Sequence, residues 1–285
     1  MSAAEAADRG TAPFGGASTW HSAHFPARRA TPAEPLVLLN SLATTTAIWE
    51  PLLDDLTEWS PVLCLDYPGH GRSPARDVPV TMDALVDGVL AVLDRAGIAR
   101  AHVAGVSIGG MCAVALAARA PDRIASISVI GSGPRLDPRM WADRRRLVEE
   151  WGTRGIATDV LRRWFTPDYA AANPVVVAAY REMLLGTSDH AYAALSELLG
   201  ATDLRPLLDD VRCPALVVCG EHDPAAPVAG GEVFVRGIED ARLEVVPGAA
   251  HMVQAMAPED LAALVVAHMA RATVESPDDA PLARP

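Results

Sequence analysis

Residues 101–118 read Ala101-His102-Val103-Ala104-Gly105-Val106-Ser107-Ile108-Gly109-Gly110-Met111-Cys112-Ala113-Val114-Ala115-Leu116-Ala117-Ala118, and the reading of this stretch decides the fold. Residues 101–104 are mostly small and apolar and predict a buried strand. Residues 110–118 are small and helix-compatible, and Pro121 follows them. Between the two, Gly105-Val106-Ser107-Ile108-Gly109 puts a serine on a sharp strand-to-helix turn, the context that a G-x-S-x-G nucleophile elbow requires. The turn holds the serine in a strained backbone conformation, and the flanking glycines remove side chains that would clash there. The hydroxyl then projects above the sheet, beside the free N–H groups of a helix N-terminus.

Working outward, strand-like and helix-like segments alternate. Apolar runs at residues 36–41, 62–66, 124–130, 215–219 and 243–246 predict further strands. Helical patterns fall at 46–59, 81–96, 229–237 and 258–271. The stripe Met82, Leu85, Val89, Val92, Leu93 has the helical period and stops at Gly97. Alternation of this kind predicts an α/β fold, a mostly parallel central sheet with helices on both faces. Residues 11–33 predict a short antiparallel hairpin at one edge, including 18–25. Residues 135–208 interrupt the rhythm. They hold no convincing strand, only helical patterns at 140–151, 158–164, 174–185 and 190–199, and predict an inserted helical lid. The core is therefore expected at 17–134 and 209–272. Residues 1–16, which carry Glu5 and Asp8 and lack an apolar run, predict a loose leader rather than a signal peptide. Residues 273–285 predict a disordered tail.

Composition narrows the function. The chain has 285 residues, of which 50% are hydrophobic, enough for one large core. No apolar run reaches the ~20 residues of a membrane span. A formal net charge of −12 makes nucleic acid and anionic membrane poor partners. The sequence contains no lysine, which excludes Schiff-base chemistry. Cys64, Cys112, Cys213 and Cys219 form no C-x-x-C pair and read as buried small hydrophobes in a reducing cytoplasm. No metal-ligand spacing is present, and neither metal nor cofactor is expected.

A serine hydroxyl is a poor nucleophile at neutral pH and needs a base, which itself needs an orienting group. In this layout the partners follow in the order acid, then histidine, each beyond the carboxyl end of a later strand. Asp223 stands in Gly220-Glu221-His222-Asp223-Pro224, and His251 in Gly248-Ala249-Ala250-His251. Ser107, Asp223 and His251 therefore form the candidate triad. Glu221 is a rival acid, and Asp66 a further one. Asp223 is favoured because Pro224 fixes the turn beside it. His222 reads as a surface residue. His70, in Gly69-His70-Gly71, reads as a structural turn residue. The oxyanion of a tetrahedral intermediate needs preplaced N–H donors. These are expected from Ile108, just after the nucleophile, and from Leu42 in Asn40-Ser41-Leu42.

These features resemble the α/β-hydrolase family and, more narrowly, the 3-oxoadipate enol-lactonases. The resemblance spans about residues 35–270. It rests on Asn40-Ser41-Leu42 with Thr45 and Trp49, and on the more widely shared Gly69-His70-Gly71-Arg72-Ser73 turn. In the lid it rests on Arg135-Leu136 with Met140-Trp141, on Arg163-Trp164-Phe165-Thr166-Pro167, on Met183-Leu184-Leu185-Gly186-Thr187-Ser188 and on Thr202-Asp203-Leu204-Arg205. Two departures are Tyr67-Pro68 before the turn and Met252-Val253-Gln254 after the histidine, both expected close to the pocket.

The resemblance implies an acyl-enzyme hydrolase of a small-molecule lactone or ester, most like 3-oxoadipate enol-lactone in aromatic degradation. Such a substrate carries a carboxylate, which arginine suits. Arg135 is the candidate for that contact, and Trp141 and Trp164 are candidates for the pocket wall. A carboxylesterase or a carbon–carbon bond hydrolase would use the same triad. A receptor on the same fold would have no need of His251.

Overall fold

Continuous apolar runs become central strands when both of their faces are covered, and five of the strands here are buried along their whole length. A computed structural model describes residues 20–31, 33–75 and 80–274. The strands are β1 (Ser22–Phe25), β2 (Leu36–Leu39), β3 (Val62–Leu65), β4 (Ala101–Val106), β5 (Ile124–Ile130), β6 (Ala215–Gly220) and β7 (Ala241–Val246). They form one sheet in the order β1-β3-β2-β4-β5-β6-β7. Only the β1–β3 pair is antiparallel. The chain leaves β2 for β3 on one side and returns to β4 on the other. The loops after β2 and β4 therefore diverge, which opens a crevice at their carboxyl ends. Register places Leu39 opposite Gly105, so residue 40 and residue 107 start from neighbouring points.

Helices cover the sheet. A 3-10 helix (Thr46–Leu52) runs into α1 (Leu53–Trp59), the change of helix type falling just past Pro51. Next come α2 (Met82–Arg95) and α3 (Ile108–Arg119). Thr81 caps α2 by accepting the Ala84 N–H, and the inner stripe Leu85, Val89, Val92, Leu93 is buried. From Ile108 to Ala117 every residue of α3 is buried, which explains its small side chains. Between β5 and β6 lie α4 (Pro138–Trp164), α5 (Pro167–Ala172), α6 (Pro174–Gly186) and α7 (Asp189–Ala201). After β6 come α8 (Val228–Gly237), α9 (Val253–Met256) and α10 (Pro258–Val274).

Several elements differ from expectation. The two helices expected at 140–151 and 158–164 are arms of α4, which breaks at Gly152 (φ 67°, ψ 179°). Asp189 accepts the Thr153 N–H at 2.6 Å and so caps the second arm. The neck of the four-helix insertion is closed by a bridge between Arg135 and Asp203 and by a bond from Leu204 N–H to the Pro134 carbonyl (2.8 Å). At the sheet edge, the described part of 11–33 contains β1 alone, and β1 pairs with β3 rather than with a neighbour in sequence. Helix α10 runs to Val274, past the expected start of the tail. Residues 1–16 and 275–285 lie outside the described residues. Among the described residues no helix is long and apolar enough to cross a membrane. All four cysteines are buried free thiols; burial pushes Cys112 and Cys213 up to about 12.

Candidate active site

Strand β4 delivers Ser107 to the crevice. The Ser107 N–H donates to the Ile130 carbonyl (2.8 Å), which extends the β4–β5 ladder by one residue. Its backbone then turns to φ 58°, ψ −115°, and α3 begins at Ile108. A side chain on Gly109 would collide with the Leu39 carbonyl, so glycine is required for the helix to start this close to β2. The Ser132 hydroxyl donates to the Ser107 carbonyl (2.8 Å) and steadies the turn from the β5 side.

Asp223 and His251 come from the loops after β6 and β7. Asp223 Oδ2 lies 2.8 Å from His251 Nδ1, and both residues are buried. Facing a carboxylate, Nδ1 carries the proton, which leaves Nε2 as the basic nitrogen. The other oxygen, Oδ1, accepts from Ala225 N–H (2.7 Å) and Ala226 N–H (3.0 Å). Burial raises the Asp223 pKa, but the His251 charge and hydrogen bond, with the two backbone donors, outweigh it and hold the carboxyl below its ordinary value.

The rival groups are occupied elsewhere. Glu221 accepts the Gly248 N–H (2.9 Å), fixing the turn that precedes His251, and faces the exposed His222 at 3.7 Å. Asp66 is buried among donors from three other segments. His70 is buried, with Nδ1 donating to the Pro68 carbonyl (3.1 Å); burial lowers its pKa to about 4 and keeps it neutral.

A cavity of about 50 Å³ joins the core to the helical insertion. From the core it is lined by Ser41, Leu42, Ser107 and His251, and from the insertion by Trp141, Arg144, Arg163 and Trp164. The structure thus brings Ser107, His251 and Leu42 together with both tryptophans, and starts the helix at Ile108 beside them. Arg135 is not among the lining residues. It sits in the neck, half exposed, with Nε 3.9 Å from Asp203 Oδ2, because strand-like pairing with Asp203 holds it at the base of the insertion.

Among the described residues, Arg144 and Arg163 are the arginines that line the cavity. Arg144 is 8% exposed and donates to the Tyr192 hydroxyl (3.4 Å). Among the described residues neither arginine is ion-paired to a carboxylate. Their signal was periodic: 141, 144 and 148 share one face of α4, as do 160, 163 and 164. Tyr67 is fully buried against Trp20 (ring centroids 5.6 Å apart) and does not line the cavity. Met252 and Gln254 also lie behind its wall and tie the histidine loop to the insertion. The Met252 N–H donates to the Trp164 carbonyl (3.1 Å), and the Gln254 amide donates to the Tyr180 hydroxyl (3.3 Å). Among the described residues no cluster of His, Cys, Asp or Glu is arranged to hold a metal ion.

Comparison with known proteins agrees with this architecture. A family model for the alpha/beta hydrolase fold matches residues 34–258. The chain is 32% identical to 3-oxoadipate enol-lactonase 2 of Acinetobacter baylyi, over 83% of this chain and 88% of that protein. It is 30% identical to a pimeloyl-[acyl-carrier protein] methyl ester esterase of Neisseria meningitidis, over 75% of this chain and 70% of that protein. The crystal structure of the enol-lactonase from Burkholderia xenovorans LB400 superposes with a TM-score of 0.85 at 35% identity, covering 88% of this chain and 96% of that one. A serine turn at the switch point of a seven-stranded sheet, the match over most of the chain and these relatives lead to one conclusion: this protein is an enzyme of the alpha/beta hydrolase fold family.

Proposed function

We propose that the protein is a serine hydrolase that opens a small carboxylated lactone, with 3-oxoadipate enol-lactone as its foremost substrate. The observation that carries this reading is the buried Asp223–His251 pair at 2.8 Å, whose imidazole lines the same small cavity as Ser107. Ser107 Oγ attacks the lactone carbonyl while His251 Nε2 takes its proton. Asp223 fixes the tautomer and stabilises the imidazolium. The N–H groups of Leu42 and Ile108 hold the oxyanion. Collapse of the intermediate breaks the ring C–O bond, and the departing enolate takes the proton from His251 and becomes the ketone. His251 then activates a water that releases the acid and regenerates Ser107. The sequence needs no bound cofactor.

The insertion, residues 135–208, acts as the lid over this chemistry. Arg144 and Arg163 replace Arg135 as the groups that meet the substrate carboxylate, and Trp141 and Trp164 form the apolar wall. A nearly buried guanidinium without a carboxylate partner is unfavourable, and an anionic substrate relieves that. Carboxylesterase activity is the second reading, supported by the likeness to the Neisseria methyl ester esterase. Turnover of 3-oxoadipate enol-lactone beside short-chain p-nitrophenyl esters tests both. A kcat/KM for the lactone well above that for the esters is the expected result. Ester turnover alone would favour the second reading.

A further inference from the structure

Asp66, at the carboxyl end of β3, is 1% exposed, and its two oxygens accept four N–H groups. Oδ1 accepts from Asn40 Nδ2 (3.2 Å) and the Thr46 backbone N–H (2.8 Å). Oδ2 accepts from the Arg72 N–H (3.1 Å) and from His21 Nδ1 (2.9 Å). The packing is tight enough that a side chain on Gly71 would collide with the carboxyl group. Asn40 passes the restraint on, its Oδ1 accepting from Trp49 Nε1 (2.9 Å). One oxygen of Asp66 therefore grips both ends of the segment 40–46.

Inside that segment the backbone is strained. Ala43 is fully buried at φ 63°, a left-handed conformation that residues with a Cβ rarely adopt. Thr44 closes the turn with its N–H and its hydroxyl both donating to the Ser41 carbonyl (3.3 and 2.9 Å). Such a conformation persists where the surroundings over-determine it. Leu42 lies between Asn40 and Ala43, so the grip on the two ends sets the direction of its N–H.

We propose that Asp66 is a positioning residue for hydrolysis: by clamping the 40–46 loop at both ends it holds the Leu42 N–H on the oxyanion. The proposal rests on the reading of Leu42 as an oxyanion donor. Asp66→Asn keeps the size of the side chain but turns one acceptor into a donor that faces another N–H. The loop then relaxes. An oxyanion donor acts on the transition state more than on bound substrate, so the loss falls on kcat and leaves KM nearly unchanged.

The test is steady-state kinetics with p-nitrophenyl acetate on wild type, Asp66→Asn and Thr46→Pro, with a melting temperature for each. Thr46 opens the 3-10 helix and follows an extended residue, Thr45 (φ −124°, ψ 175°), a setting that accepts proline. Thr46→Pro thus deletes one tether and preserves the helix start. Complete loss of one oxyanion donor lowers kcat by about 10²–10³-fold, which sets the ceiling. We expect a kcat about tenfold or more lower in Asp66→Asn and about threefold or more lower in Thr46→Pro, with KM within about twofold. Thr46→Pro decides the matter alone if Asp66→Asn does not fold. A folded variant with kcat within about twofold of wild type, or a loss confined to KM, overturns the role of Asp66 and leaves the serine hydrolase reading intact. A wild type that neither turns over the ester nor reacts with a fluorophosphonate at Ser107 overturns both.

Discussion

Ala43 and Ser107 are the two non-glycine residues with positive φ among the described residues, and they stand in the two loops that meet at the switch point of the sheet. Backbone strain is thus concentrated at the site, on the serine itself and on the loop that faces it. Ser107→Gly removes the strain together with the hydroxyl. It should abolish hydrolysis and raise stability by about 1 kcal/mol, read as a higher urea midpoint. An unchanged or lower midpoint would mean that the turn is not strained.

The acid of the triad can be tested by charge. Asp223→Asn preserves shape but favours the wrong histidine tautomer, and kcat should fall by about 10³–10⁴-fold. Glu221→Gln, which alters the preceding turn and the exposed His222 but not His251, should stay within about threefold of wild type. The reverse ranking in steady-state kinetics would transfer the role to Glu221.

Substrate charge should be read by α4. Arg144→Gln should raise KM for a carboxylated lactone by about 10–100-fold, the worth of a charged hydrogen bond, with little change for p-nitrophenyl acetate. Arg135→Gln, in the exposed neck, should change neither by more than about twofold. Equal effects of Arg144→Gln on both substrates would remove it from carboxylate binding.

Stability should fall on mild acidification. Burial lowers His70, His102 and His268 to about 4; the charge of His268 and Arg100 adds to this at His102, and that of Arg242 and Arg271 at His268. The unfolded chain binds protons near pH 6.5 and the folded one near pH 4, so the unfolded state holds more protons between these values. Stability is full above about pH 6.5 and is lost progressively toward pH 4. Asp223 keeps its contribution through this window because its folded pKa lies below the ordinary 3.8. Denaturant midpoints at pH 7.5, 6 and 5 should decline, with a shallower slope in His102→Gln. A midpoint constant across this range would contradict the assignment.

The alternating core was legible because buried parallel strands must be continuously apolar and the helices between them periodic. The proposed triad, Ser107, Asp223 and His251, could be read from local turns at strand ends, and the structure places Asp223 against His251. What escaped was set by distant packing. Arg135 has the right position in the chain, but pairing with Asp203 turns it to solvent, whereas Arg144 faces inward because α4 packs on α7, where Arg144 meets Tyr192. The partners of Asp66 lie at residues 21, 40, 46 and 72, too scattered for any local pattern. The edge strand β1 finds its partner only once β3 is in place.

Reaction of the intact protein with a fluorophosphonate, followed by peptide mass mapping, tests the central claim most directly. A single phosphonyl adduct on Ser107, formed in step with loss of hydrolysis and absent from Ser107→Ala, is the predicted result. Full hydrolysis by Ser107→Ala, or an inactivating adduct on another residue, would contradict it.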